Sequence, residues 1–215
     1  NRTHTGEDFR QNSFYRRNKR MDKRTGIIPT IIITGFLGAG KTTLLNLYLN
    51  HPETKKRYAR VFSSTGDDFT LRELFRGEAL KAILDFARPF DLIVIDEAQQ
   101  IPSIGLGIKM IMDAFPEKTV ILTGSSSFNL SREIGEPLTG RHFTLTLLPL
   151  AQGEMEVGSF ELKNSLSDFL IYGAYPEVLL EHDREKKIKI LTELVSSYLF
   201  KDVLALDKIK SPQLL

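Results

Sequence analysis

Three stretches of the sequence concentrate the side chains and the backbone freedom that phosphate chemistry requires. The first is Gly35-Phe36-Leu37-Gly38-Ala39-Gly40-Lys41-Thr42-Thr43, which fits G-x-x-x-x-G-K-[ST]. Glycines at 35, 38 and 40 remove Cβ atoms, so that backbone N–H groups can wrap an anion closely. A helix starting at Lys41 would aim its N-terminal dipole at the same anion. Lys41 is expected to reach the β- and γ-phosphate oxygens, and the Thr42 hydroxyl to take a place on Mg²⁺. All nine residues 35–43 are thus candidates for nucleotide binding.

The second stretch is Asp91-Leu-Ile-Val-Ile-Asp96-Glu97. An apolar strand that ends in Asp presents a carboxylate at the carboxyl edge of a sheet, where a phosphate loop also lies. Asp96 is the expected Mg²⁺ holder, directly or through water. Glu97 follows it and can take the proton of the water that attacks the γ-phosphate. The third stretch, Thr119-Val-Ile-Leu-Thr123-Gly-Ser125-Ser, is a buried strand ending in hydroxyls. If it lies between the other two, Thr123 or Ser125 can hydrogen-bond the attacking water or a phosphate oxygen, although a strand end followed by a helix cap explains such hydroxyls equally well. Arg141, in Leu138-Thr-Gly-Arg141, can stabilise transition-state charge in cis or across a subunit boundary; a lone surface arginine is the ordinary alternative. The candidate catalytic set is therefore Glu97, Lys41, Thr123, Ser125 and Arg141, with Thr42 and Asp96 as metal ligands. His4, His51, His142 and His182 are scattered without the spacing of a zinc site.

Positioning these groups takes strands and helices in alternation. Residues 30–34, 60–64, 92–96, 119–123 and 142–147 are short and β-branched and read as strands; the first, third and fourth are apolar enough to be buried on both faces. Between them, 41–49, the periodic run from Leu71 to Phe86, and 104–115 read as helices. This alternation predicts an α/β domain with a parallel sheet. After Leu150 the strand signals end. Residues 160–172 and 186–199 read as helices separated by the turn Tyr172-Gly-Ala-Tyr-Pro176. Ile188, Leu191, Leu194, Val195, Tyr198 and Leu199 line one face of the second, the ordinary mark of core packing.

Composition bounds the rest. The chain has 215 residues, 41% hydrophobic and 26% charged, which excludes wholesale disorder and a disulfide-stapled miniprotein. With no cysteine, thiolate zinc fingers, iron–sulfur clusters and thiol catalysis are excluded, and a cytoplasmic location is expected. The longest uncharged run is interrupted by Pro29 and glycines and falls short of the about 20 apolar residues of a membrane helix, so no membrane is expected as a partner. The net charge of +2 is uneven: residues 1–26 hold eight Lys/Arg against three Asp/Glu. The expected organisation is a basic flexible tail over 1–25, a nucleotide domain over 26–150, a helical lid over 151–205, and the start of a truncated C-terminal region over 206–215. The tail, or a C-terminal region beyond the lid, is the candidate contact for nucleic acid.

The ordered series of motifs resembles a family. The phosphate loop, Ile95-Asp-Glu-Ala-Gln99, Ile121-Leu-Thr-Gly-Ser-Ser126, Leu138-Thr-Gly-Arg141 and Leu148-Pro-Leu150 with Glu154 are followed by Tyr172-Gly-Ala-Tyr-Pro-Glu177 and Tyr198-Leu-Phe-Lys-Asp202. Together they look like prokaryotic AAA-superfamily P-loop ATPases that carry a helical lid, a winged helix and a nuclease-like (DUF4143-type) C-terminal domain. The resemblance spans about residues 28–205. It implies a P-loop NTPase with a five-stranded parallel sheet in the order 5-1-4-3-2, ATP and Mg²⁺ as cofactors, a possible homo-oligomer, and Thr123/Ser125 as a sensor. It also implies coupling of nucleotide state to movement of a C-terminal domain. The loop alone is similar to that of CobW-type GTPases, but the absence of cysteine and of a guanine-specificity motif disfavours that reading. A nucleotide-binding switch or nucleic-acid tether that does not hydrolyse is the remaining alternative.

Overall fold

The computed structural model describes residues 30–36, 38–77, 79–125, 138, 141–155 and 158–196, with Ser125, Ser159, Glu161 and Leu162 described by their backbone alone. The expected basic tail, Leu37 of the glycine-rich loop and the region from 197 onward, including 206–215, lie outside the described residues.

Five strands form one sheet: β1 (Thr30–Gly35), β2 (Val61–Thr65), β3 (Leu92–Asp96), β4 (Thr119–Ser125) and β5 (His142–Leu147). Their order is β2-β3-β4-β1-β5, the expected 5-1-4-3-2 read from the other edge. Every pairing is parallel. The apolar runs of β1, β3 and β4 are buried on both faces, as befits central strands, whereas the edge strands β2 and β5 are largely exposed.

Alternation along the strands divides the core in two. Ile32, Ile93, Ile95, Val120 and Leu122 face one layer of helices: α3 (Phe69–Arg76), α4 (Leu80–Ala87) and α5 (Ile104–Ala114). Ile33, Leu92, Val94 and Ile121 face Leu45 of α1 (Lys41–Asn50) and Tyr58, which follows α2 (Pro52–Arg57). Helix α2 was not expected; Pro52 sits in its first turn and His51 Nδ1 accepts a hydrogen bond from Glu53 N at 3.3 Å, so the Pro that ends one helix starts the next.

The periodic run from Leu71 to Phe86 is two helices rather than one. Asp68 caps the first by accepting from Thr70 N and Leu71 N, and Gly77 follows its last residue. Leu71 and Phe75 of α3 and Ile83 and Ala87 of α4 join the same core cluster, so the apolar period continues across the break and conceals it.

After the sheet come α6 (Ser159–Asn164), α7 (Leu166–Tyr172), α8 (Pro176–Leu180) and α9 (Arg184–Leu194). The expected single helix over 160–172 is divided at Ser165, and the turn after Tyr172 leads into a short helix begun by Pro176. The core-packing expectation for the last helix does not hold. No described residue of α9 is buried, and Ile188 is 49% and Val195 52% exposed. Packing here comes instead from Tyr172 and Val178. Among the described residues, no helix is long and apolar enough to cross a membrane.

Candidate active site

The carboxyl ends of the strands gather the predicted residues. Gly35, the last residue of β1, is in register with Ser125 of β4, and Asp96, the last of β3, is in register with Thr65 of β2. The loop after β1 bends through Gly38 (φ 71°) and Gly40 (φ 89°), left-handed conformations that cost a side-chain-bearing residue about 1–2 kcal/mol. Gly40 also caps α1, its carbonyl accepting from Leu44 N at 2.8 Å. Gly35 has a further reason to be glycine. A Cβ there would lie 2.1 Å from the carbonyl oxygen of Leu147 in β5, so the neighbouring strand by itself requires the missing side chain.

Lys41 is buried, and its Nζ donates to the carbonyls of Gly35 and Phe36, each at 3.0 Å. Burial pushes its pKa below 10.5, while the nearby carboxylates of Glu97 and Asp96 oppose that shift. The ammonium is therefore tethered inside the loop by neutral acceptors that an anion can replace.

Thr42, next in α1, donates from Oγ1 to Asp96 Oδ2 at 2.7 Å, joining two motifs that are 54 positions apart. This contact places two hard oxygen donors side by side. Mg²⁺ is commonly bound by one or two protein oxygens, with waters and phosphate oxygens completing the octahedron, and the donor set fits it. Among the described residues, no group of three or more His, Cys, Asp or Glu side chains forms a metal cage.

Thr123 does not present a free hydroxyl to this space. It is fully buried, donates its proton to Asp96 Oδ1 and accepts from Glu97 N at 3.1 Å. With its single proton committed, it fixes Asp96 and the main chain of Glu97, and it has no proton left to donate to a phosphate oxygen or to the attacking water. Ser125 ends the strand beside Gly35. Glu97 itself adopts φ 52°, ψ 43°, and a Cβ on Gly66 would lie 2.1 Å from its carbonyl oxygen. Its carboxylate accepts from Gln99 Nε2, a partner that the sequence did not single out.

The C-terminal helices reach the loop. A Cβ on Gly38 would meet the two Leu194 methyls at 3.1 and 3.2 Å and the Tyr175 ring at 3.4 Å; one on Gly40 would meet the Pro176 ring at 3.7 Å. Residues more than a hundred positions downstream thus line the phosphate loop; Tyr175 and Pro176 belong to the Tyr172-Gly-Ala-Tyr-Pro-Glu177 motif, while Leu194 belongs to the stripe expected as ordinary core packing.

Arg141 is not at this edge. It precedes β5, and its carbonyl accepts from Thr30 N at the amino end of β1. At about 3.3 Å per residue, the length of β1 separates it from the glycine-rich loop by roughly 17 Å. Its guanidinium pairs instead with Asp113 at the end of α5. The in-cis role is therefore excluded, because parallel strands put their starts and ends on opposite edges.

An uncharacterized protein of Methanocaldococcus jannaschii is 27% identical over 194 residues, covering 84% of this chain and 43% of that protein. The chain thus spans about two-fifths of the length of that relative. Among solved structures it is similar to AMPPCP-bound DnaA from Aquifex aeolicus, with a TM-score of 0.47 and 21% identity over 96% of this chain and 67% of that one. It is also similar to a DNA replication initiation factor, with a TM-score of 0.47 and 19% identity, covering 95% of this chain and 66% of that one. The DnaC helicase loader gives a TM-score of 0.44 and 15% identity over 68% of this chain and 93% of its own. A family model described as AAA domain matches residues 28–156, more than half of the chain, from the strand before the glycine-rich loop to past the last strand, and the protein belongs to this AAA domain family.

Proposed function

We propose that the protein is a Mg²⁺-dependent ATPase core in which residues 35–43 hold the triphosphate and Glu97 activates the attacking water. The observation that carries this reading is the Thr42–Asp96 hydrogen bond, which brings the loop and the acidic strand end into one cluster with Glu97 next in the chain. Lys41 would exchange its two carbonyl partners for β- and γ-phosphate oxygens, which bind an ammonium more strongly than neutral acceptors do. The backbone of the loop and the first turn of α1 would supply further donors. Thr42 and Asp96 would hold Mg²⁺, which when bound neutralises charge on the β- and γ-phosphate oxygens. Glu97 would accept a proton as water attacks the γ-phosphorus and the bond to the β-phosphate oxygen breaks, giving ADP and phosphate. Thr123 would hold Asp96 and Glu97 in register, as a positioning residue. Arg141 remains a candidate only across a subunit boundary, in a homo-oligomer.

Residues 151–205 would serve as a lid that couples nucleotide state to a C-terminal domain of winged-helix and nuclease-like type. The contact of Leu194, Tyr175 and Pro176 with the loop glycines supports that reading, because an occupied loop must either keep or displace these side chains. A cytoplasmic site of action accords with the cysteine-free composition.

The test is Glu97→Gln, which retains shape and removes the base. ATP binding should persist while turnover falls by about 10²–10⁴-fold, the usual contribution of a positioned base. Turnover at the parent rate would remove Glu97 from this role, and a preference for GTP in competition would revive the GTPase reading.

A further inference from the structure

Glu97 is fixed unevenly. Its main chain is held by Thr123 through the amide, by a hydrogen bond from Gln100 N to its carbonyl at 3.0 Å, and by the close approach of Gly66. Its side chain accepts one described hydrogen bond, from the Gln99 amide nitrogen. The aim of the carboxylate is thus the freedom that remains, and Gln99 is the group that restricts it. Among the described residues, Gln99 makes no other side-chain hydrogen bond. Its Oε1 is buried and has no hydrogen-bond partner, a state that native proteins seldom tolerate without a reason. Gln99 is the middle residue of the single turn of 3-10 helix over Ala98–Gln100 that starts directly after Glu97 and is anchored by the buried Ala98.

We propose that Gln99 is a positioning residue for the hydrolytic step: its amide nitrogen holds the Glu97 carboxylate in the orientation from which it can take a proton from the attacking water. The orphaned Oε1 is the consequence, since turning the amide to satisfy that oxygen would withdraw the donor from Glu97. This role rests on the proposed function of Glu97 as base. It concerns orientation alone, so nucleotide binding through the loop should not depend on it.

Two isosteric changes test it. Gln99→Met keeps length and shape, removes the donor and removes the orphaned acceptor; a loss of stability is not expected. Gln99→Glu sets a carboxylate against a carboxylate and turns Glu97 away. In both variants kcat for ATP should fall by about 10- to 100-fold, the scale of a misplacement of about 1 Å, while KM and equilibrium ATP affinity stay within about twofold. A second readout does not need turnover. In the NMR spectrum of the intact chain, the Gln99 side-chain amide, assigned by its disappearance in Gln99→Met, should shift and exchange faster when Glu97 is replaced by alanine. Unchanged kcat in Gln99→Met would overturn the proposal. So would a parallel loss of affinity and thermal stability, which marks a merely structural residue. A Gln99 amide resonance indifferent to Glu97→Ala would overturn it as well. If the parent protein hydrolyses no ATP while that resonance does respond, the contact stands and the ATPase reading is what fails.

Discussion

The sheet buries a lysine at each of its two edges: Lys41 at the carboxyl ends of the strands and Lys118 at the amino end of β4. Each donates to two backbone carbonyls, Lys41 to Gly35 and Phe36, Lys118 to Arg88 at 3.0 Å and to Phe90. Burial lowers the pKa of both. What separates them is the nature of their partners. The carbonyls around Lys41 belong to a glycine loop beside two carboxylates, where phosphate oxygens can take their place. Those around Lys118 close the chain after α4, where the helix dipole and the Phe115 ring, 4.9 Å from Nζ, favour a permanent cation. Burial of a lysine is thus no sign of a site by itself; the replaceability of its partners is.

The largest effect that tests this contrast is on nucleotide binding. Lys41→Ala should weaken ATP binding by about 100-fold or more, since hydrogen bonds to charged groups contribute about 1.5–3 kcal/mol each. Lys118→Met should leave binding unchanged. Titration calorimetry on both variants decides the matter, and weakened binding in Lys118→Met would break the comparison. The reverse holds for stability. Lys118→Met strands two carbonyls and should lower unfolding stability by about 1–3 kcal/mol in urea melts, whereas loss of Lys41 should cost less, because one of its two acceptors belongs to the exposed Phe36 and can turn to water. Gly35→Ala belongs with Lys118, because its Cβ would collide with the Leu147 carbonyl; a cost of about 1–3 kcal/mol is expected even without nucleotide.

These cases also mark what could be read in advance. The loop, Asp96 and Glu97 were legible because their spacing is local and their strands are apolar runs with abrupt ends. The order of the strands came with the family resemblance, and the register of β1 with β4 bears it out. Lys118 was invisible, since its partners lie 28 and 30 positions away and only the pairing of β3 with β4, with Leu92 opposite Thr119, brings them close. The break at Gly77 was hidden by an apolar period that serves the same core on both sides of it. The stripe on α9 was misread for a related reason: periodicity reports which face is apolar, not what lies opposite it. At Leu194 the answer is the phosphate loop. Arg141 was misplaced because proximity in the motif series does not distinguish the two ends of a parallel strand.

A smaller effect concerns alkaline pH. In the unfolded chain both lysines return to 10.5, and in the folded chain their pKa values lie lower. Between the two values the unfolded chain binds more protons, so stability climbs as pH rises towards 10.5; below the lowered values the cost of the buried charge is fully present. Lys118→Met should flatten that climb in urea unfolding followed across the alkaline range, and Lys41→Met should do so independently, since the two sit at opposite edges. An unchanged slope in both would mean that neither cation is penalised by burial.

The smallest expected effect separates the edges once more. Arg141 and Asp113 form an exposed pair, and such pairs contribute about 0.2–1 kcal/mol. Arg141→Ala should therefore shift stability by less than about 1 kcal/mol, far below the cost of losing Lys118 at the same edge. Its distance from the loop within one chain makes the consequence for turnover depend on assembly. If Arg141 acts across a subunit boundary, the specific ATPase activity of the parent protein should rise with protein concentration, and Arg141→Ala should abolish the rise. A loss of turnover in Arg141→Ala that is the same at every concentration would contradict this, because one chain would then be feeling an arginine that the sheet holds at its far edge.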